Sequence, residues 1–302
     1  MNQSSRRNIN PEHPNPQPYY TYDNSKQSWV QADSSSSSEV DNDKRILRLS
    51  LFSWNIDFRI PYAKERMNAA LDHLQGLVEK LPSATASVIF LQECIFQDLR
   101  TIGANPWIRE KFYFSDISTS NWADDYGTIT LVDRRLRITS CFRVHYDKTR
   151  MGRDAFFVDI LLSGGNDQDR TVMAEYMRQD GVNGALAAGD FNAIQAFDRT
   201  LHSENGLKDA YLEFGGEEDS EEGYTWGQQA STEERDMFGL SRMDKIYFTG
   251  SLKLHKFEKF GVDVQLDEEE LELECEHLVS YGYEKPWITD HLGVMAEVEV
   301  ID

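Results

Sequence analysis

Short runs with a two-residue hydrophobic period bracket one long stretch of helical spacing. Leu47, Leu49 and Leu51 alternate with other residues inside the apolar run 46–52, and Leu292, Val294, Ala296, Val298 and Val300 do the same near the C-terminal end. This is the pattern of strands with two distinct faces. Residues 88–91 (Val-Ile-Phe-Leu) and 185–188 (Ala-Leu-Ala-Ala) are continuous apolar runs, as in strands covered on both sides. Met67, Ala70, Leu71, Leu74, Leu77, Val78 and Leu81 keep i, i+3, i+4 spacing, which predicts a helix over 64–81 stopped by Pro82-Ser83. Strand 46–52, this helix and strand 88–91 form a crossover unit, expected to be parallel and right-handed. Asn105-Pro106 predicts the cap and first turn of a short helix through Arg109. Residues 126–132, 136–142 and 155–162 read as a meander of strands, 171–178 as a short helix and 241–248 as a further strand. Leu271, Leu273 and Cys275 alternate with glutamates over 271–276, which predicts an edge strand with a charged outer face. The whole of 44–302 thus reads as one α/β domain. Residues 1–43, rich in Pro, Asn, Gln and Ser, predict a disordered or loosely attached arm. Tyr19-Tyr20-Thr21-Tyr22 and Trp29-Val30 are its segments able to dock.

Charge narrows the choice of partner. The formal net charge is −21, so the protein as a whole has no electrostatic pull on a polyanion. Part of the excess is concentrated in Glu217-Glu218-Asp219-Ser220-Glu221-Glu222 and in residues 267–276, which read as solvated loops or faces. Any nucleic-acid substrate must be met by local basic residues, and the clearest short strip is Arg134-Arg135-Leu136-Arg137. Three cysteines, Cys94, Cys141 and Cys275, are too few and too widely spaced for a disulfide framework or a zinc ribbon. The first residues hold no apolar leader core, and no stretch is long and apolar enough to cross a membrane. The expected setting is cytoplasmic or nuclear.

Candidate chemistry gathers at the ends of the apolar runs. Trp54-Asn55, Leu91-Gln92-Glu93 and Gly189-Asp190-Phe191-Asn192 each follow such a run, and Thr289-Asp290-His291 precedes one. If the last strand runs antiparallel to the others, its start lies at the edge where they finish, and all four motifs share one mouth of the sheet. Oxygen donors from Asp, Glu and Asn with one imidazole suit Mg²⁺-assisted attack of water on a phosphate ester. Taken singly, each motif has an ordinary explanation: a solvated terminal carboxylate for Glu93, an Asx turn at Asp190, a capping or core residue for His291.

In combination the motifs resemble the endonuclease/exonuclease/phosphatase superfamily over about 45–302. Ser53-Trp54-Asn55-Ile56-Asp57, Ile89-Phe90-Leu91-Gln92-Glu93, Tyr224-Thr225-Trp226 and Arg242-Met243-Asp244-Lys245-Ile246 are most similar, in that order, to the branch containing the 5′-tyrosyl-DNA phosphodiesterases. The resemblance implies a DNase I-like fold: a four-layered α/β sandwich of two mixed sheets flanked by helices. It also implies site roles. Glu93 and Asn55 would hold Mg²⁺ (or Mn²⁺), with Asp290 near the metal. Asp190 would orient or deprotonate the attacking water, Asn192 would contact the phosphoryl group, and His291, oriented by Asp244, would hydrogen-bond a phosphate oxygen. Asp57, Tyr126, Arg153 and Trp226 would line the substrate cleft, with a core role equally open for Trp226. The implied activity is phosphodiester hydrolysis, with DNA 5′ ends as the leading substrate. A phosphatase or lipid phosphodiesterase on the same fold stays open.

One element of the resemblance is missing. The superfamily places a strand ending in a His-Leu motif between strand 155–162 and strand 185–188, and its His contributes to phosphate binding. Here residues 156–162 pass through Ser163-Gly164-Gly165-Asn166-Asp167-Gln168-Asp169-Arg170 directly towards Thr171, and none of the seven histidines (13, 73, 145, 202, 255, 277 and 291) lies in that interval. Such a strand supplies ladder partners on both sides. Three explanations follow: a segment lost from this polypeptide by splicing or gene assembly, strand 155–162 taking the vacated place in a weakened enzyme, or a catalytically dead interaction module.

Overall fold

The computed structural model describes residues 10–32, 46–148, 151–161, 177 and 182–301. The crossover unit forms as its pattern requires. Strand β4 (Arg48–Asn55), helix α1 (Ala63–Val78) and strand β5 (Thr85–Ile95) put β4 and β5 in parallel register, with Asn55 opposite Gln92. The final strand β14 (Gly293–Val300) lies on the other side of β4 and antiparallel to it, with Val294 opposite Ser53. Its first residues therefore start at the edge where β4 and β5 end.

These strands are the centre of an eight-stranded mixed sheet. Beyond β14 lies β13 (Leu252–Phe260). Beyond β5 come β7 (Tyr126–Asp133), β6 (Phe112–Phe114), β2 (Tyr20–Asp23) and β3 (Ser28–Gln31). Alternation along the strands sends side chains into two separate cores. Phe52, Trp54, Ile89, Leu91 and Met295 face α1, α2 (Phe96–Ala104) and α3 (Pro106–Lys111). Leu49, Leu51, Val88, Val294, Ala296 and Val298 face a second layer of strands. That layer comprises two three-stranded antiparallel sheets. One holds β1 (Asn15–Pro16), β8 (Arg137–His145) and β9 (Asp154–Leu161). The other holds β10 (Gly184–Asp190), β12 (Asp244–Gly250) and β11 (Lys208–Asp209). The α/β layering matches expectation, and among the described residues no ladder joins β9 to β10. The 162–170 junction lies outside the described residues, as does the helix expected at 171–178 apart from Met177.

Three expectations need correction. The strands over 126–161 are not one meander: β7 pairs with β5 and β6, whereas β8 and β9 pair with each other in the opposite layer. The expected edge strand at 271–276 is instead helix α4 (Glu272–Ser280). Its buried Cys275 and Leu278, with Leu271 packed beside them, have helical spacing and join the helix-side core. The N-terminal arm is also no loose attachment over its described part. Hairpin β2–β3 adds to β6 through Tyr20 opposite Phe114, and Asn15–Pro16 pairs with β8. Trp29 Nε1 donates to the Gly103 carbonyl at 2.9 Å, and Arg109 lies over the Tyr22 ring. The aromatic residues of the arm thus bury against α2 and α3.

Candidate active site

Strand ends converge on a cleft of about 640 Å³ lined by Asp57, Glu93, Arg153, Asp190, Asn192, Trp226, Asp290 and His291 among others. An adjoining pocket of about 330 Å³ is lined by Asn55, Tyr126 and again Glu93, Arg153, Asp190 and Asn192. Asp244 sits behind His291, buried at 1% exposure. All eleven residues named from the sequence are therefore brought together.

Local backbone explains how. After Leu91 the β5–β7 ladder slips by a bulge before resuming at Cys94, and Glu93 in that bulge takes the left-handed conformation (φ 56°). Bulges re-aim a side chain at the cost of ladder pairing. Here the bulge aims Glu93 into the cleft. Asp57 (φ 52°) and Asn192 (φ 47°) adopt the same unusual conformation just past β4 and β10. Gly189, at φ 157°, supplies an exit from β10 that a side chain would strain.

Asp190 is held from three directions. Its Oδ1 accepts from the Asn192 backbone N–H at 2.8 Å, and its Oδ2 accepts from Asn192 Nδ2 at 2.6 Å and Asn55 Nδ2 at 3.2 Å. Asn55 Oδ1 in turn accepts from the Asp57 N–H at 2.9 Å, and its carbonyl accepts from Thr289 Oγ1 at 2.8 Å. The His291 loop is fixed by Trp54 Nε1, which donates to the His291 carbonyl at 3.1 Å. Across the β10–β12 ladder Asp190 lies directly opposite Asp244. Thr225 Oγ1 accepts from the backbone N–H groups of both Met243 and Asp244.

His291 Nδ1 lies 2.8 Å from Asp244 Oδ2. Burial alone would lower the imidazole's pKa, but Asp244, Asp290 and Asp190 outweigh it and hold the group well above the ordinary histidine range. Burial likewise raises the Asp244 carboxyl, against the pull of His291. With three carboxylates around one imidazole, the proton stays on the ring and the pair is an ion pair. Trp226 Nε1 donates to Asp290 Oδ2 at 2.7 Å, so this tryptophan is both a cleft wall and an orienting donor. Tyr126 stacks on Phe58 at 4.3 Å between centroids and donates its hydroxyl to the Met151 carbonyl. Arg153 lines the cleft with no carboxylate at ion-pair distance among the described residues.

The donor set fits a hard divalent cation. Asp57, Glu93, Asp190 and Asp290 are four of the six acidic residues lining one cleft, Glu218 and Asp219 being the others. Burial, with the charges of Asp57 and Asp190, pushes the Glu93 carboxyl above the usual range, and the His291 charge and then the Asn55 amide partly offset this. Asp290 Oδ1 and Asp244 Oδ1 are buried without hydrogen-bond partners. Asp190, Asp244 and His291 also place one donor atom each within 4.8 Å of one another. Asp244 and His291 are spent on each other, however, and imidazole is a poor ligand for a hard ion. Glu93, with Asn55 beside it, could hold such an ion instead.

The Endonuclease/Exonuclease/phosphatase family matches residues 52–291. The chain belongs to that family. Among solved structures, truncated Caenorhabditis elegans TDP2 matches with TM-score 0.59 at 18% identity, covering 85% of this chain and 100% of its own. D. rerio TDP2, complexed with single strand DNA product, matches with TM-score 0.59 at 15% identity, covering 84% and 99% respectively. An endonuclease/exonuclease/phosphatase from Bacteroides vulgatus matches with TM-score 0.54 at 13% identity, covering 84% and 99%. At such identities the likeness is one of fold. No curated protein matches the sequence. Among the described residues no helix is long and apolar enough to cross a membrane.

The sequence did not point to several residues of the site. Arg59 reaches Asp57, Asp290 and Glu234. Arg66, fully buried, donates to the carbonyls of Ile56, Asp57, Ile60, Pro61 and Ile288, tying the loop after β4 to the irregular segment before Asp290. Glu218, from the acidic run expected to be solvated, instead pairs with Arg242 and with buried Lys245, which flank Asp244. The available hint was the Arg242-Met243-Asp244-Lys245 motif itself, in which two cations beside a buried strand require counter-ions.

Proposed function

We propose that the chain is a Mg²⁺-dependent phosphodiesterase (Mn²⁺ serving in its place) whose leading substrate is a 5′-tyrosyl-DNA end. The observation that carries the reading is the Asp244–His291 ion pair set against Asp190, Asn192 and Glu93 in one cleft. A Mg²⁺ ion held by Glu93 and Asn55 would polarise a phosphate oxygen. The other roles belong to the chain. Asp190, fixed by Asn192 and Asn55, presents an acceptor for the proton of an attacking water. Imidazolium His291, kept charged by Asp244, donates to a phosphate oxygen as charge develops there. Arg153, Tyr126, Asp57 and Trp226 line the path of the flanking substrate. The fold shared with TDP2, one copy of which holds a single strand DNA product, supports the choice of a DNA end over a small ester.

Hydrolysis of a generic phosphodiester with Mg²⁺, compared among wild type, Glu93→Ala and His291→Ala, tests the assignment. Loss of turnover by at least a hundredfold in both variants is expected. Turnover unchanged in both would refute it. One observation favours a second reading, an impaired or catalytically dead interaction module: among the described residues His291 is the sole histidine lining the two pockets, where the resemblance implies a second. Binding of a phosphate analogue with no turnover would mark that outcome.

A further inference from the structure

Among the described residues β9 has a ladder to β8 alone, and the other edge of β8 is taken by the N-terminal arm. A two-stranded ribbon is marginal by itself, and a third strand is what makes it hold one shape. Here that strand comes from residues 12–17. Asn15 lies opposite Arg143 and Pro16 opposite Phe142. Gln17 N donates to the Cys141 carbonyl at 3.1 Å, and Glu12 N donates to the His145 carbonyl at 2.8 Å. Asn15 Nδ2 adds a bond to the Arg143 carbonyl at 3.2 Å. The arm therefore runs along β8 as far as the end that turns towards the cleft.

Two side chains of the arm extend this contact to the cleft wall. Glu12 holds the left-handed conformation (φ 58°), which disfavours any residue with a side chain. In that conformation its Oε1 accepts from the Asp147 N–H at 2.8 Å, so Glu12 clasps the backbone on both sides of Tyr146. Tyr146 N in turn donates to the Arg153 carbonyl at 3.1 Å. Gln17 is buried: its Oε1 accepts from Arg143 Nε at 3.3 Å, and its Nε2 donates to the Ser115 carbonyl at 3.1 Å. Arg143 then donates to Asp154 Oδ1 at 2.6 Å and to Thr128 Oγ1 at 2.7 Å. Thr128, Tyr146, Arg153 and Asp154 all line the smaller pocket, and Arg153 lines the main cleft as well. Both lines of contact from the arm end at one wall. We propose that Glu12 and Gln17 are positioning residues for the substrate: they set the β8–β9 hairpin so that Arg153 is presented to the anionic ester in the cleft. For its kinetic part this inference rests on the function proposed above.

The test uses the full chain with Glu12→Ala, Glu12→Gln, Gln17→Met and Arg153→Ala. Glu12 is exposed, so replacing it leaves the core intact even if Gln17→Met weakens the fold. The first readout is hydrogen exchange of the Tyr146 amide, which needs no turnover. Glu12→Ala and Gln17→Met should each speed it by about tenfold, and Glu12→Gln, which keeps the accepting oxygen, should match wild type. The second readout is steady-state kinetics on a chromogenic phosphodiester. Both disruptive variants should raise KM by about three- to tenfold with kcat held, and neither should add to the effect of Arg153→Ala when combined with it. An unchanged Tyr146 exchange rate in both variants overturns the brace. Faster exchange with KM unchanged, or effects that add in full to Arg153→Ala, overturns the link to Arg153. A wild type with no turnover is a failure of the proposed function; the brace is then decided by exchange, and the link by the same comparison of dissociation constants for tungstate, a phosphate analogue, measured by calorimetry.

Discussion

Replacing Asp244 by Asn probes the charge of the His291 pair with little change in shape. The carboxylate is fully buried, 2.8 Å from the imidazole nitrogen. At an effective dielectric near 20, opposite charges at that separation attract by about 6 kcal/mol before desolvation is counted. Burial of Asp244 cancels part of this, and Asp190 and Asp290 remain near the ring in the variant. The net loss should resemble that of one hydrogen bond between charged groups, about 2–3 kcal/mol, or a fall of roughly 30- to 150-fold in kcat/KM at neutral pH. The pH profile carries the stronger signature. In wild type the imidazole pKa lies well above its ordinary range, so the charged form persists through neutrality. Without Asp244 the pKa falls, and the proton is lost as pH rises through the lowered value. The variant should therefore lose activity towards alkaline pH and recover part of it when acidified, a limb that the wild-type profile lacks. Steady-state kinetics on a chromogenic phosphodiester from pH 5 to 9 would measure both effects. A variant within threefold of wild type, with a parallel profile, would refute the charged-pair argument.

Two predictions concern stability. Arg143, buried, bonds to Asp116 at 2.9 Å and Asp154 at 2.6 Å, with Thr128 and Gln17 completing the set. Arg143→Met strands two buried carboxylates and should cost about 3–5 kcal/mol, or on the order of 10 °C in melting temperature; adding Asp116→Asn and Asp154→Asn should restore much of it. Asp98, which accepts from the Ile95 N–H at the start of α2, is raised by burial from 3.8 to about 6. Because its folded pKa is the higher, the folded state binds the proton more tightly. Stability from this group is full below pH 4, lost as pH rises to about 6 and flat above. Asp98→Asn should remove a slope worth about 3 kcal/mol, seen as the urea-midpoint difference from wild type between pH 4 and pH 7.

The sequence was most legible where periodicity and punctuation agreed. The helical spacing from Met67 onward, the Asn105 cap with its acceptor bonds from Trp107 and Ile108, and the alternation through Val298 all appear in place. The convergence of motifs followed from one topological inference, that the last strand runs antiparallel to β4. Short windows misled. Leu271, Leu273 and Cys275 fit a two-residue period, but adding Leu278 reveals the helical one, and the burial of Cys275 and Leu278 decides it. Adjacency misled at β7 and β8, since the turn near Leu136 carries the chain from one layer to the other. Arg59 and Glu218 were invisible for another reason: their partners lie far off in sequence, and nothing in a local stretch of residues records a long-range ion pair.

The left-handed residues of the cleft carry a message about selection. Glu93 sits in a conformation that disfavours a long side chain by about 1–2 kcal/mol, and Asp57 and Asn192 share its backbone geometry less expensively. Glycine at position 93 would relieve the backbone and remove a carboxylate from an already crowded cleft. Random drift under selection for folding alone should therefore empty this position early. A glutamate at this position is thus a cost to the fold, which on the proposed reading the binding of a metal ion would offset.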